Sequence, residues 1–197
     1  MKAKFFDRLT AYIIDVIIIS LITSIIFTSI PTNNKELEKQ LSSLQDEVLS
    51  NKITYEEFVD EYQDLYYKNK KNTMTQSAIT LTITIAYFVI FQYMNKGQTI
   101  GKKLLHLKVV DNNTEKPLSI FKGLIRSLLI WNILSGTLGI ALIYILNKES
   151  YITSYLIISS LESIFIFITA MFTLYRKDNR GLHDIIINSK VIKEGKW

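Results

Sequence analysis

The sequence has 197 residues, 48% of them hydrophobic and 21% charged, with a net charge of +5. It holds no Cys, two Pro and seven Gly. That excludes disulfides, thiolate zinc sites, a cysteine nucleophile and a lipid-anchored Cys, and it argues against a disordered or fibrous chain. Two His 77 residues apart leave little for a metal, so no metal and no cofactor are expected.

Segment 1–30 opens with Lys2, Lys4 and Arg8 and continues into the apolar run Leu9–Ile30. The run is longer than the core of a signal peptide, lacks a small-x-small cleavage site before Pro31, and is interrupted by Asp15. It reads as a first transmembrane helix, since a bilayer core of about 30 Å needs about 20 apolar residues. Segment 31–73 is polar, with six Lys against nine acids. Leu37, Leu41, Leu44 and Val48 form one helical stripe, and Tyr55, Phe58, Val59, Tyr62, Leu65 and Tyr66 form another. Thr54-x-x-Glu57 is a capping box. The pattern predicts a helical hairpin over about 35–50 and 55–69. Segment 74–94 is the second span.

Segment 95–127 is a basic loop with an amphipathic lead-in. Its Gly97-Gln98-Thr99-Ile100-Gly101-Lys102-Lys103 has three residues between the glycines and no Ser or Thr after the Lys. A phosphate loop needs four and a hydroxyl, so nucleotide binding is not expected. Leu105, Leu107 and Val109 alternate with polar residues, as in a short strand, and the run 185–192 is a candidate partner for it. Segment 128–174 supplies the third and fourth spans, Leu128–Leu146 and Tyr151–Leu174, and 175–197 is a basic tail.

Lys and Arg concentrate in 1–8, 95–122 and 175–197. The positive-inside rule therefore puts both termini and the basic loop in the cytoplasm and the acidic hairpin outside. The predicted fold is an all-α membrane protein of four transmembrane helices, with an extracytoplasmic helical hairpin and a small cytoplasmic β pairing. The basic balance is accounted for by membrane orientation, so no nucleic-acid partner is expected.

Asp15 and Glu162 lie within spans, and Arg126 leads the third. A charge at mid-helix costs about 2.5–3.5 kcal/mol on insertion scales, so both carboxyls should face the bundle interior. Two readings stand. Asp15 pairs with Arg8, Arg126 or backbone and fixes packing; or Asp15 and Glu162 line a polar site for a cation, proton or polar solute. No nucleophile–base arrangement points to an enzyme.

Arg8, Asp15, `GQTIGKKLLHLKVVD` (97–111), Arg126 and `RGLHDIIINSKVI` (180–192), in this order relative to the spans, resemble the RDD family of bacterial membrane proteins. The resemblance covers nearly the whole chain apart from 31–73. Arg8 and Asp15 match the family's arginine and first aspartate, and Asp184, in Gly181-Leu182-His183-Asp184, is taken as the second. The family implies a multi-pass protein of the bacterial plasma membrane whose function is mostly unassigned. Transport is suggested for it, and cation/proton antiport is attributed to some members. The long hairpin departs from its pattern, and Glu162 is outside its motif.

The expectation is a transport-related protein moving or sensing a cation or small polar solute at Asp15, with Arg8, Arg126 and Glu162 tuning it. An Arg8–Asp184 pair would join the three family residues in one cluster. The alternative is a non-transporting accessory or assembly subunit. It would bind a membrane complex through the hairpin or the Gly136-x-x-Gly139 face, and a homo-oligomer is also open.

Overall fold

A computed structural model describes residues 2–30 and 34–194. The join at 31–33 and the end of the tail at 195–197 lie outside the described residues. Among the described residues, three helices are long and apolar enough to cross a membrane: α1 (Phe5–Phe27), α4 (Met74–Met94) and α8 (Lys148–Tyr175). At 1.5 Å per residue they are about 35, 32 and 42 Å long. Their outer faces are apolar and bare, as at Ile25 (70% exposed) and Phe167 (63%). Apolar surface on this scale, continuous along long helices, fits hydrocarbon rather than water.

Residues 128–146 do not form one straight helix. The structure has α6 (Ile120–Leu128) and α7 (Ile133–Ile145), bent by 74° at the break between them. Asn132 lies at the break in the left-handed region, with φ 52°. Asparagine tolerates that conformation better than most residues, so it can end one helix and start another. The Leu128–Leu146 run alone gave no sign of the bend, because apolar composition is blind to backbone direction.

Between α1 and α4 run α2 (Asn34–Leu49) and α3 (Tyr55–Asn72). They pack together with Leu37 and Leu44 buried. The Thr54 hydroxyl accepts from the Glu57 N–H at 3.2 Å, and the Glu57 carboxylate accepts from the Thr54 N–H at 2.8 Å. α3 also packs on α8, where Tyr67 meets Tyr151 edge-on at 5.5 Å.

Past α4 come the short helix α5 (Ile100–Leu104) and strand β1 (Leu107–Asp111). After α8 come α9 (Leu182–Ile186) and β2 (Ser189–Lys193). β1 and β2 are antiparallel, Leu107 opposite Lys193 and Asp111 opposite Ser189. The sheet expected from the two β-branched runs is present, but Ile185 and Ile186 belong to α9 rather than to a strand. Ala3 joins the edge through its N–H to the Val191 carbonyl at 3.0 Å. Ala3, Ala11, Leu107, Val109, Leu118, Ile187 and Val191 form a compact core there. That core fastens the sheet to the start of α1.

Candidate functional site

Two buried aspartates organise the end of the bundle next to the sheet. Asp15, 1% exposed, sits on the narrow buried stripe of α1 with Ala11 and Thr23. Its carboxylate accepts from Tyr87 Oη at 2.7 Å, Thr99 Oγ1 at 2.6 Å and the Gly101 N–H at 2.8 Å. Thr99 is the N-cap of α5, and Gly101 is in its first turn. Asp15 thus caps α5 from a neighbouring helix and helps satisfy donors that a helix start leaves free. Tyr87 is held in turn, since its hydroxyl accepts from the Ile100 N–H at 3.0 Å.

The glycines of this motif permit close approach. A Cβ on Gly101 would run into the Ala11 carbonyl oxygen and lie 2.9 Å from the Asp15 carboxylate. Gly97 has φ +95°, and a Cβ there would strike the Val109 backbone. Gln98 donates to the Leu107 carbonyl at 2.9 Å. Gly97, Gln98 and Gly101 therefore dock the loop onto β1 and α1.

Tyr87 arrives through an irregularity in α4. Residues Ala86–Phe91 form a π-helical turn. Ser127 of α6 donates to the Phe88 carbonyl within it at 3.1 Å. Phe88 stacks on Trp131 at 3.4 Å between centroids, and Tyr12 stacks on Trp131 at 4.7 Å. Such turns widen a helix locally and re-aim its side chains.

Asp184, fully buried, is the second centre. It accepts from Arg8 Nη2 at 2.6 Å, Arg126 Nε at 3.2 Å, Ser189 Oγ at 3.0 Å and the Gly181 N–H at 3.2 Å. Burial opposes its charge, but the Arg8 and Arg126 guanidiniums hold it well below the usual carboxylate range. His183 lies beside it. Its Nε2 is 3.3 Å from Arg8 Nη2 and 3.0 Å from Arg126 Nη2, and its Nδ1 is 3.2 Å from Thr169 Oγ1. The guanidiniums can only donate, so Nε2 accepts and Nδ1 carries the proton toward Thr169. Burial brings the ring down to about 4, which agrees with that neutral tautomer.

Arg8 and Asp184 are therefore paired, and Arg126 completes a buried trio. Asp15 stands apart from it, with no cation in ion-pair contact among the described residues. The single three-residue cluster expected from the sequence is replaced by two centres. Glu162 belongs to neither: it accepts from the Ser135 N–H at 3.1 Å, and its Oε1 is buried without a partner. Tyr87, Thr99, Thr169 and Ser189 were not singled out from the sequence. Thr99 had a readable signal, since a Thr just before a turn of Ile-Gly-Lys-Lys is a plausible cap.

A cavity of about 250 Å³ lies against the Asp184 centre. Arg8, Lys102, Arg126 and His183 border it. Tyr12, Trp131 and Ile166 are among the residues of its apolar wall. Lys102, 8% exposed, donates to Gln92 Oε1 at 2.8 Å. Burial, with Arg126 close by, pulls its ammonium down to about 7. Among the described residues no group of His, Asp and Glu is arranged to hold a metal ion.

A family model described as the RDD family matches residues 2–188. The chain belongs to the RDD family. The match includes Arg8, Asp15 and Asp184 and so takes in both buried centres. No curated protein and no solved structure matches the chain. As an RDD protein with long apolar helices, it is membrane-type, with the lipid bilayer as its environment.

Proposed function

We propose that this RDD protein is a plasma-membrane protein with four crossings, α6–α7 being the bent one. Its termini and basic loop are cytoplasmic, and the α2–α3 hairpin is outside. The concentration of Lys and Arg in 1–8, 95–122 and 175–197 supports this orientation. The protein is transport-related: it moves or senses a small polar solute. The observation that carries this reading is the cavity bordered by Arg8, Lys102 and Arg126. Two guanidiniums and the Lys102 amine meet there, and no Asp or Glu is among the lining residues. That environment favours an anion. Asp15, the expected cation site, has both carboxylate oxygens taken by protein donors. The cation expected there gives way to an anion at the cavity.

Proteoliposomes carrying a voltage-sensitive dye test this. Gradients of phosphate, sulfate or a small carboxylate should give a protein-dependent signal that falls in Lys102→Gln. A Na⁺ or K⁺ signal that disappears in Asp15→Asn would return the site to Asp15.

A second reading, the accessory subunit, draws on Leu49 (80% exposed) and Tyr55 (74%), which flank the turn between α2 and α3. The Gly136-x-x-Gly139 face supports it less. Gly139 packs on the Tyr155 ring and Gly136 lies against Leu81, so that face is used within the chain. A stoichiometric partner captured in mild detergent, and lost in Leu49→Asp, would favour this second reading.

A further inference from the structure

The cavity has two unlike parts, and together they narrow the ligand. This inference rests on the cavity being a solute site and goes on to its chemistry. The smaller part of its lining is made of donors. The Lys102 ammonium has three N–H groups and one acceptor, Gln92. Buried donors left unmatched are costly, and these call for acceptor oxygens. Arg8 and Arg126 share the single carboxylate of Asp184, so positive charge is in excess around those donors.

The larger part is apolar. Leu9, Tyr12, Ile130, Ile166 and Ala170 contribute to it, and Leu9 and Tyr12 are themselves exposed on the outer face of α1. α1 and α8 do not pack closely on each other, and the cavity lined by both occupies the gap between them. Leu9 and Tyr12 put part of that wall on the outer apolar surface of α1, which gives the gap a way out toward lipid. A simple inorganic anion would leave that apolar wall unused, and a purely apolar molecule would leave the donors unmatched.

We propose that the cavity binds an amphiphile with an oxyanion head, the head on Lys102 beside the two arginines and the chain leaving between α1 and α8. The head fits within about 250 Å³, while a whole phospholipid does not, so its chains lie in the bilayer. A membrane lipid with an anionic phosphodiester and a soluble alkyl phosphate share this chemistry.

The test uses the full chain with Trp197→Phe, purified in a neutral maltoside detergent, so that Trp131 is the one fluorophore of its kind. The probes are octyl phosphate, dioctanoyl phosphatidylglycerol, dioctanoyl phosphatidylcholine, octyl glucoside and inorganic phosphate. The two anionic amphiphiles should shift Trp131 emission saturably and raise the melting temperature. Lys102→Gln should weaken them about tenfold or more, the loss expected for one charge-assisted contact. Ala170→Phe, which fills the apolar part without changing charge, should weaken them too. Tighter binding of phosphatidylglycerol assigns a lipid, and tighter binding of octyl phosphate a soluble source. Equal binding of octyl glucoside or phosphatidylcholine overturns the oxyanion head. Equal binding of inorganic phosphate overturns the chain but leaves the anion site. Undiminished binding in both variants, each melting as the parent does without ligand, overturns the location. No binding by any probe sinks the amphiphile proposal, whereas the broader solute-site reading fails only if the anion gradients also give no signal.

Discussion

Replacing Asp184 with Asn leaves the shape of the knot around it intact and removes its carboxylate. The side chain is fully buried, and the guanidinium-bearing side chains of Arg126 and Arg8 are 4% and 12% exposed. The amide oxygen can still accept from Ser189 or Gly181, but the amide NH₂ faces a cation. Two arginines then lack their counter-charge, one of them almost wholly out of water. Breaking a buried pair costs about 3–5 kcal/mol, because the survivor is left uncompensated. For a chain of this size that is a fall of about 6–20 °C in melting temperature, using the scale for soluble domains. Thermal unfolding in neutral detergent measures it. Double-mutant cycles with Arg8→Met and Arg126→Met then apportion it, each expected to show coupling above about 1 kcal/mol. Exchanging Arg8 and Asp184 should not restore stability, because the new arginine would stand beside Arg126. If Asp184→Asn lowers stability by under about 1 kcal/mol, or neither cycle shows coupling, the trio does not hold the tail to the spans.

Other outcomes follow from the same geometry. Gly101→Ala drives a methyl into the Ala11 carbonyl and should cost about 1–3 kcal/mol, seen as a lower melting temperature. A neutral result would mean that α1 and α5 separate easily. Glu162→Gln keeps an acceptor for the Ser135 N–H and should change stability by under about 1 kcal/mol, since Oε1 holds no partner. A larger loss would reveal a charge pairing at Glu162. His183 is neutral in the fold down to about pH 4, whereas the unfolded ring takes a proton near 6.5. Stability should therefore fall as pH drops from about 6.5 toward 4, and His183→Gln should flatten that part of the profile in thermal scans.

Much of the fold could be read from hydrophobic run length. α1, α4 and α8 are where 20-residue apolar blocks stood, and Thr54 and Glu57 announced the start of α3. The bend at Asn132 was hidden because a left-handed residue between two apolar helices leaves composition unchanged. The π turn at Ala86–Phe91 was hidden too, since it depends on a long-range donor, Ser127, rather than on local propensity. The Arg8–Asp184 pair could be anticipated from two opposite charges at the basic face. The partition of Asp15 from that pair could not. It depends on which donors the folded chain brings to Asp15, and these come from positions 87, 99 and 101.

The two centres have a consequence for where chemistry can happen. Asp15 and Asp184 between them accept seven donated hydrogen bonds, the Tyr87, Thr99 and Gly101 set and the Arg8, Arg126, Ser189 and Gly181 set. Carboxylates held this way are costly to release, and binding a solute through them would break contacts that tie α5 and the tail to the spans. They suit fastening. The group with spare capacity near them is Lys102, with two N–H groups uncommitted. No Asp or Glu lines the cavity beside that donor, which is why the proposed ligand is an anion. The aspartates that make the sequence look like a cation site are, in the folded chain, committed to holding it together.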